Sequence, residues 1–514
     1  MKYPIGIQNF GEVRNGGYVY VDKTPLIYKM ISEGKYYFLS RPRRFGKSLL
    51  LSTIEAYFEG RKSLFDGLAM SRLETEWKEY PILHLDLNTE KYETPEALNR
   101  KLNQSLSKWE ERYGTESYEV SLSARFEGII KRASEQAGCN VVILIDEYDK
   151  PLLQAIGNED LQADYRATLK AFYGALKSCD KYIKFAFLTG VTKFGKVSVF
   201  SDLNNLKDIS FDRRYIELCG ITEKELHRDF DESVRELADA NGLTKEECYA
   251  KLKEDYDGYH FEEGTVGMYN PFSVLNTLDS CQFRDYWFET GTPSFLVQQL
   301  QKTDFPLDMM TEIDMTADVL NSIDIMDENP LPLLYQSGYL TIKNYDKEFK
   351  VYQLGFPNRE VKEGFIRYLV PFYLGKNKMK APFDVRSFVK EVRTGDPEAF
   401  MERLVSLFAN GDYQLMGDKE IYFQNVMYLL FMLLGFYVQV ERHTTNGRMD
   451  ILVQMADFVF IFELKINQSA DVALKQIEDK GYAKPFEMDP RKLYKIGVNF
   501  STETRMIDDW KMVC

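Results

Sequence analysis

A short apolar run followed by a basic loop and a helix constrains the fold of this chain more than any other feature. Tyr36–Leu39 is predicted to be a buried strand, Arg41–Ser48 the loop and Leu49–Phe58 the helix. The end of the loop fits the phosphate-binding pattern GxxxxGKS/T, whereas Arg41 takes the place of its first glycine. Backbone N–H groups at a helix N-terminus can still surround a phosphate, and the helix dipole favours the anion. The alternative is a basic turn that merely precedes a helix.

A second apolar strand, predicted at 141–145, ends in two acidic residues. Asp146 can bind the hydration shell of Mg²⁺, and Glu147 can polarise an attacking water. A strand end that simply meets solvent is the alternative, but the combination with the basic loop favours a nucleotide site. The sequence therefore predicts a nucleotide and Mg²⁺ as ligands, with Ser48 and Asp146 at the metal and Glu147 as a catalytic residue. The predicted nucleotide contacts are Arg43, Arg44, Phe45, Gly46, Lys47, Ser48, Asp146 and Thr189.

Polar residues after the next predicted strand, at 184–188, are candidates for sensing the γ-phosphate. Thr189 is preferred over Thr192, although either also suits a plain strand end. Arg213 and Arg214 follow and are candidates for an arginine finger, acting within the chain or on a neighbouring copy. Structural roles are the alternative for both arginines.

Apolar runs at 36–39, 82–87, 141–145 and 184–188 alternate with helical stretches, which predicts an α/β fold with a parallel sheet covered by helices on both faces. We expect a P-loop NTPase domain at 1–215. A mainly helical lid or linker is predicted at 216–375, and a separate α/β domain at 376–514.

Two alternating strands near the C-terminus are predicted to bring acidic residues together. If Ala456 and Asp457 form a two-residue turn, Asp450 lies directly opposite Glu463, with Cβ atoms about 5 Å apart. Lys465 lies two residues further on, on the same face. Two opposed carboxylates destabilise a sheet unless a cation such as Mg²⁺ lies between them. The alternative is two acids and a lysine on a solvated strand face.

This pattern predicts a hydrolytic metal site with Asp450, Glu463 and Lys465 as catalytic residues. Lys465 can orient or deprotonate a water or stabilise the charge that develops on a phosphorus centre. Glu420, at the start of the helix predicted at 419–434, is either a further metal ligand or a favourable helix N-terminal charge. Gln476, on the helix predicted at 470–483, contacts the substrate or simply packs. The predicted order of elements over this region is α-β-β-β-α-β.

Charge and composition exclude some classes of protein. A net charge of −14 argues against passive coating of nucleic acid, although it leaves room for a local basic groove. The six cysteines are far apart and form no CxxC pair, which argues against a zinc site and fits a reducing compartment. No apolar run reaches the roughly 18 residues that span a bilayer, and the N-terminus has no apolar signal segment. We therefore expect a cytoplasmic protein with no membrane partner.

The N-terminal part resembles the AAA-ATPase-like family of bacteria over roughly residues 3–300. The residues that carry this resemblance are Val21–Thr24, Leu39–Ser48, Leu206–Ile209, Tyr256–Tyr259 and Thr290–Phe295. The arginine-rich loop is usual in that family. The resemblance implies ATP binding and hydrolysis and names no substrate.

The C-terminal part resembles the PD-(D/E)XK nuclease superfamily, whose fold is like that of restriction endonucleases, over about 411–505. The resemblance rests on Gly447–Asp450, Glu463–Lys465 and Gln476–Ile477, with Met449 where a proline is usual. It implies that Asp450, Glu463 and Lys465 are the motif residues of a metal-dependent nuclease. Tyr482 stands further from Gln476 than in some relatives.

The leading hypothesis is an ATP-regulated, Mg²⁺-dependent nuclease that cuts DNA rather than RNA, with a role in defence or mobile-element biology and a capacity to self-associate. The second is a nucleotide-dependent switch or scaffold whose C-terminal domain binds a partner or nucleic acid without cleavage. The third is phosphoryl transfer to a small molecule.

Overall fold

The computed structural model describes residues 1–193, 199–200, 203, 205–289, 294–311, 313–321, 329–373, 381–409, 419–435, 439–445 and 448–514. Thr290–Pro293 and Gly447, which carry part of the family resemblances, lie outside these residues. The chain divides into two units, one formed by Met1–Gly291 with Glu312–Val361 and the other by Thr292–Thr311 with Lys362–Cys514. The domain borders after residues 215 and 375, which the sequence predicts, stay predictions.

A five-stranded parallel sheet with the order β2-β3-β4-β1-β5 forms the centre of the first unit. Its strands are Tyr36–Ser40 (β1), Ile82–Asp86 (β2), Val141–Asp146 (β3), Ile183–Gly190 (β4) and Lys207–Asp208 (β5). Every residue of β1 and β3 is buried, as continuous apolar runs of a sheet covered on both faces should be. The predicted parallel α/β sheet is confirmed, and β5 is an additional short strand.

The longer helices of this unit follow the strands in the chain and carry the apolar stripes that cover the sheet. The helices are Phe10–Asn15, Thr24–Glu33, Lys47–Phe58, Met70–Leu73, Pro95–Tyr113, Leu122–Ala137, Lys150–Gln154, Glu159–Ser178, Glu223–Asp229, Asp231–Asn241, Lys245–Tyr256, Pro271–Ser280, Tyr286–Glu289, Ala317–Asn321 and Leu331–Gln336.

The middle of the chain is helical as predicted, but it also contains strands that the sequence pattern did not indicate. Ile221–Thr222 (β6) pairs with Met268–Tyr269 (β7). A three-stranded antiparallel sheet with the order β8-β10-β9 is built from Ile313–Thr316 (β8), Thr341–Asp346 (β9) and Val351–Gly355 (β10). These strands are short and carry polar residues on exposed positions, so their apolar periodicity is weak.

The second unit contains a five-stranded sheet with the order β11-β12-β13-β14-β15. Its strands are Gln439–Thr445 (β11), Arg448–Gln454 (β12), Phe458–Ile466 (β13), Lys492–Ser501 (β14) and Met506–Val513 (β15). Strands β13 and β14 are parallel, and the other neighbours are antiparallel. The predicted succession α-β-β-β-α-β along the chain is confirmed, and β15 is an additional edge strand beyond residue 505 that was not predicted.

The predicted hairpin register in this sheet is also confirmed. The N–H of Met455 donates to the carbonyl of Phe458 at 2.9 Å across the two-residue turn, and Asp450 pairs directly with Glu463. The described helices of this unit are Ser294–Lys302, Arg359–Tyr373, Ala381–Thr394, Pro397–Ala409, Lys419–Gly435 and Ala470–Lys480; the first turn of Arg359–Tyr373 belongs to the first unit. Among the helices described, none combines the length and the apolar character needed to cross a bilayer.

We predict that Gly258→Ala destabilises the first unit more than Gly157→Ala does. Gly258 has φ +94° and Gly157 has φ +89°, so both substitutions place a side chain in the left-handed region. A Cβ at Gly258 would lie 2.2 Å from the Pro357 carbonyl oxygen, whereas nothing lies within 4 Å of one at Gly157. We expect a loss of about 1 kcal/mol at Gly157 and about 1–3 kcal/mol more at Gly258, measured by urea unfolding. Equal losses would contradict the close approach of Pro357.

Candidate nucleotide and metal sites

The basic loop joins the end of β1 to the helix Lys47–Phe58 and turns through two residues of positive φ. Arg44 has φ 68° and Gly46, which caps the helix, has φ 90°. The φ of Gly46 favours glycine, because a Cβ at this position would be strained against the backbone of the same residue. The N-terminus of this helix therefore opens at the carboxyl edge of the sheet, which is where parallel α/β sheets bind ligands.

Lys47 lies buried at this helix start, with 6% of its surface exposed. Its ammonium group donates to the carbonyl oxygens of Arg41 at 3.0 Å and Pro42 at 3.2 Å. Both acceptors are backbone atoms of the loop itself. The cation is thus held over the loop at the N-terminus of the helix.

Three of the predicted residues meet at the carboxyl ends of neighbouring strands. The hydroxyl of Ser48 donates to Asp146 Oδ2 at 2.7 Å, and the hydroxyl of Thr189 donates to Asp146 Oδ1 at 2.6 Å. Ser48 follows β1, while Asp146 and Thr189 belong to β3 and β4. A hydroxyl beside a carboxylate is an oxygen donor set suited to Mg²⁺ and its waters.

Thr192 has a different partner from Thr189. Its backbone N–H and hydroxyl donate to Asp149 Oδ2 at 2.6 and 2.7 Å, and the N–H of Val191 donates to Asp149 Oδ1 at 3.2 Å. Burial raises the pKa of Asp149, and the hydrogen bonds from Thr192 oppose that shift. Thr189, and not Thr192, is therefore the threonine that contacts Asp146, while Asp149 fixes the segment after β4.

Glu147 follows Asp146 with φ 51°, a conformation unusual for a residue that carries a side chain. Burial raises the pKa of Glu147, the Lys47 charge lowers it, and the neighbouring Asp149 and Asp146 raise it. A carboxylate with a raised pKa is a better acceptor for the proton of an attacking water.

A cleft of about 300 Å³ brings most of these groups together. It is lined by Pro4, Ile5, Gly6, Ile7, Gln8, Arg43, Arg44, Gly46, Lys47, Ser48, Leu49, Asn88, Glu147, Lys150, Pro271, Phe272, Leu275 and Asn276. The Phe45 side chain is instead buried against the rings of Tyr259 and Phe261, with centroids 4.8 and 5.6 Å away. The Phe45 side chain therefore supports the loop from the core.

Several residues of the cleft were not anticipated from the sequence. The segment 4–8 and the helix start at 271–276 come from distant parts of the chain, and no motif marks them. Asn88 and Lys150 could have been proposed from the sequence, because each follows closely after the end of a predicted strand. The guanidinium of Arg44 lies 4.9 Å from the centre of the Phe272 ring, so this wall of the cleft contacts the loop directly.

The two candidate arginine fingers do not line this cleft. Arg214 donates to both oxygens of Asp212, at 2.9 and 2.6 Å. Arg213 donates to the backbone of Glu263 at 3.0 Å, and its side chain is 63% exposed. A role within the same chain has no support from these contacts, and a role towards a neighbouring copy stays a prediction.

A buried glutamate connects the loop to a helix far along the chain. Glu360 is 3% exposed and accepts hydrogen bonds from the N–H of Trp287 at 2.7 Å and the hydroxyl of Ser273 at 2.8 Å. The indole N–H of Trp287 donates in turn to the carbonyl of Arg43 at 3.3 Å. Burial raises the pKa of Glu360 to about 8.

The second candidate site lies on the sheet of the second unit. Glu463 and Lys465 are 0% and 2% exposed and form a buried ion pair, so they are not on a solvated strand face. The ammonium of Lys465 also donates to the side-chain oxygen of Gln476 at 2.9 Å. In backbone register Asp450 stands directly opposite Glu463. Of the five residues predicted for this site, Lys465 thus contacts Glu463 and Gln476, and Asp450 occupies the register position opposite Glu463.

The donor chemistry of this site fits a hard divalent cation. Two residues with carboxylate oxygens occupy paired positions of β12 and β13, and Mg²⁺ prefers such oxygen ligands together with water. The side chain of Asp450 lies outside the described part of the structure. Among the side chains that are described, no group of three or more His, Cys, Asp and Glu residues gathers as a metal-binding cluster.

The other candidates around this site have different surroundings. Glu420 is exposed in the first turn of its helix, where Gln424 donates to it at 3.4 Å, so its ligand role stays a prediction. The prediction of a helix to residue 483 was wrong, because the helix ends at Lys480 before the left-handed Gly481. Tyr482 therefore follows the helix and packs against a small cluster around Ile461.

Comparisons with known proteins match the N-terminal and C-terminal parts of the chain to two different families. Residues 4–200 match a family described as predicted AAA-ATPase, and residues 418–510 match the PD-(D/E)XK nuclease superfamily. A protein of Azotobacter chroococcum mcd 1, described as an uncharacterized protein in the 5′ region of vnfD, is 34% identical over 516 residues. That alignment covers 98% of each chain.

We predict that Glu360→Gln removes a pH dependence of stability in the first unit. The pKa of Glu360 is raised to about 8 in the folded chain from an ordinary value of 4.5, and Asp285 and Asp255 add to the effect of burial. Between these two pH values the folded protein keeps a proton that the unfolded chain has lost. The contribution of Glu360 to stability is therefore complete at about pH 4 and falls by about 1.4 kcal/mol per pH unit up to about pH 8.

The measurement is urea unfolding of the first unit between pH 5 and 8. Wild type and Glu360→Gln should be close in stability at pH 5, and the variant should become the more stable protein as the pH rises. Glu236→Gln, at an exposed position, serves as the matched control and should follow wild type. Parallel pH profiles for wild type and Glu360→Gln would show that Glu360 is ionised in the folded protein.

Proposed function

Because the chain belongs to the AAA-ATPase-like family and carries a C-terminal domain of the PD-(D/E)XK nuclease superfamily, we propose that it hydrolyses ATP and cleaves DNA with Mg²⁺ as cofactor. The domain families indicate the two classes of activity. We propose in addition that the substrate is DNA, that the metal is Mg²⁺ and that ATP regulates cleavage.

The contact of Asp146 with Ser48 and Thr189 carries the ATPase half of the proposal. Ser48 and Asp146 would hold Mg²⁺, which neutralises phosphate charge when bound. Lys47 exchanges its backbone acceptors for phosphate oxygens, and the amides at the helix start add further donors. Glu147 orients and polarises the attacking water, and Thr189 links the metal-site aspartate to the segment after β4.

The nuclease half rests on the pairing of Asp450 with Glu463 beside Lys465. The two carboxylates would hold Mg²⁺, which polarises a phosphodiester and activates water when bound. Lys465 stands within hydrogen-bond reach of Glu463 and Gln476, so its ammonium is fixed beside the predicted metal position. From there it can stabilise the negative charge that develops on the phosphate oxygens.

DNA is proposed as the substrate, and a role in defence or mobile-element biology and self-association belong to the same proposal. The net charge of −14 favours recognition by a local surface over general electrostatic attraction. The same charge supports the second candidate, a nucleotide-dependent switch or scaffold that binds without cleaving. Cleavage assays with and without ATP distinguish the two.

We predict that Glu147→Gln keeps nucleotide binding and loses hydrolysis. The amide cannot accept a proton from water, so turnover of ATP should fall about 10²–10⁴-fold. Lys47→Ala should instead weaken ATP binding itself, because it removes the cation at the loop. Lys62→Ala, at an exposed position outside the cleft, is the control and should match wild type in both assays.

The measurements are release of inorganic phosphate and equilibrium binding of ATP in the presence of Mg²⁺. If Glu147→Gln hydrolysed ATP at the wild-type rate, Glu147 would not act on the attacking water. An absence of hydrolysis in wild type, with tight ATP binding, would favour the switch.

We predict that Asp450→Asn abolishes Mg²⁺-dependent cleavage of plasmid and oligonucleotide DNA. An amide is a weaker ligand than a carboxylate for a hard cation, so cleavage should fall about 10²-fold or more. Asp457→Asn, the same change in the exposed turn of the hairpin, should cleave as wild type does. Equal cleavage by both variants, or no cleavage by wild type with any combination of ATP, Mg²⁺ and Mn²⁺, would reject the nuclease proposal.

A further inference from the structure

The turn that follows β3, residues 147–150, has two residues anchored in the core and two that line the cleft. Tyr148 is fully buried, and its hydroxyl donates to the Thr192 carbonyl at 3.2 Å. Asp149 is also buried and accepts hydrogen bonds from the segment after β4. The N–H of Lys150 donates to the Glu147 carbonyl at 3.0 Å, which closes the turn. Glu147 and Lys150 are therefore fixed in the wall of the cleft.

Lys150 is the cation of this turn, and its ammonium has no hydrogen bond or ion pair with any residue that the structure describes. Burial raises the pKa of Glu147, whereas the charges of Lys47 and Lys150 lower it. The ammonium of Lys150 thus acts electrostatically on the carboxylate that is proposed to accept a proton from water.

The cleft carries a surplus of positive charge over the described residues that line it. Its cationic side chains are those of Arg43, Arg44, Lys47 and Lys150, and Glu147 is its one acidic side chain. A concave surface lined mainly by one sign of charge attracts ligands of the opposite sign. This surplus suits a ligand with several negative charges.

Other cations near this edge of the sheet are engaged elsewhere. Lys193 pairs with Asp208 at 2.9 Å, and the two candidate arginine fingers, Arg213 and Arg214, do not line the cleft. Of the cations that line it in the described part of the chain, all but Lys150 belong to the basic loop. Lys150 is thus the cation that enters the cleft from the strand end at which the proposed proton acceptor lies.

We propose that the ammonium of Lys150 binds the terminal phosphate of ATP and stabilises the negative charge that develops there during hydrolysis within the same chain. This inference rests on the proposed ATPase function. In the reaction, the oxygen of a water forms a bond to the terminal phosphorus, the bond from phosphorus to the bridging oxygen breaks, and ADP leaves with the electron pair. Glu147 accepts the proton of that water, and Lys150 keeps its own proton throughout.

The first test compares the binding of a triphosphate and a diphosphate to the full chain with Mg²⁺ present. The probes are ADP and an ATP analogue with an imido bridge between its β- and γ-phosphates, which prevents hydrolysis. Lys150→Met should weaken binding of the analogue about 10-fold or more, because a charged hydrogen bond to the terminal phosphate is lost. ADP lacks that phosphate and should bind as it does to wild type.

Lys62→Met, the same change at an exposed position outside the cleft, is the matched control and should bind both probes as wild type does. A loss of affinity in Lys150→Met by the same factor for both probes would overturn the proposal. So would an unchanged affinity for the analogue.

The second test is turnover at saturating ATP, which a merely structural role of Lys150 would leave unchanged in a folded variant. Lys150→Met should hydrolyse ATP about 10²–10³-fold more slowly than wild type, since one donor to the developing charge is missing. Lys150→Arg keeps the positive charge and should recover part of the turnover and of the preference for the triphosphate. Equal turnover in Lys150→Met and wild type would contradict the role in hydrolysis.

A crystal structure of the wild-type chain with the imido analogue needs no variant, so it stands if Lys150→Met does not fold. Nζ of Lys150 should lie within about 3.2 Å of an oxygen of the terminal phosphate. A bound analogue whose terminal phosphate is out of reach of Lys150 would overturn the proposal.

The two proposals can fail separately. If wild type prefers the analogue to ADP but releases no phosphate, the ATPase proposal fails, whereas loss of that preference in Lys150→Met still supports the contact with the terminal phosphate. A wild-type chain that binds both probes equally would overturn the role of Lys150.

Discussion

The carboxylate of Asp146 is the group on which the N-terminal site depends. It accepts a hydrogen bond from the Ser48 hydroxyl, on the helix after β1, and another from the Thr189 hydroxyl, at the end of β4. A single side chain therefore connects the carboxyl ends of three neighbouring strands. Parallel strands bring such ends to one edge of a sheet, and the continuous burial of β1 and β3 holds that edge rigid. Around it, Glu147, Asp149 and Lys47 each take their places through backbone geometry and buried hydrogen bonds rather than through surface charge.

The C-terminal site depends on a constraint of another kind, the register of one hairpin. Successive side chains of a strand point to opposite faces, so a slip of one residue would move Glu463 and Lys465 away from the face that they share. The burial of both residues and the two-residue turn before Phe458 fix that register. Gln476 reaches the pair from the following helix. In this acidic protein the ammonium of Lys465 is therefore held between the buried carboxylate of Glu463 and the side-chain oxygen of Gln476.

The sequence predicted those features that local patterns encode. Apolar runs such as 141–145 identify buried strands, and the spacing from Ala456 outward gives the pairing of Asp450 with Glu463. Features that arise from tertiary contacts were missed. Strands β8–β10 and β15 are short or lie at edges with weak alternation, and the lining of the cleft by residues 4–8 follows from packing alone. The contacts of Thr189 with Asp146 and of Thr192 with Asp149 could not be read from the sequence, and the preference for Thr189 as the γ-phosphate sensor stays a prediction.

The hydrogen bond from Trp287 to the Arg43 carbonyl gives the basic loop an intrinsic optical reporter. Indole emission responds to changes in the polarity and hydrogen bonding of the ring. The chain has four tryptophans, and Trp287 is the one whose ring nitrogen contacts this loop among the residues described. A change of loop conformation when the neighbouring cleft fills is therefore expected to alter the fluorescence of the unlabelled protein through Trp287.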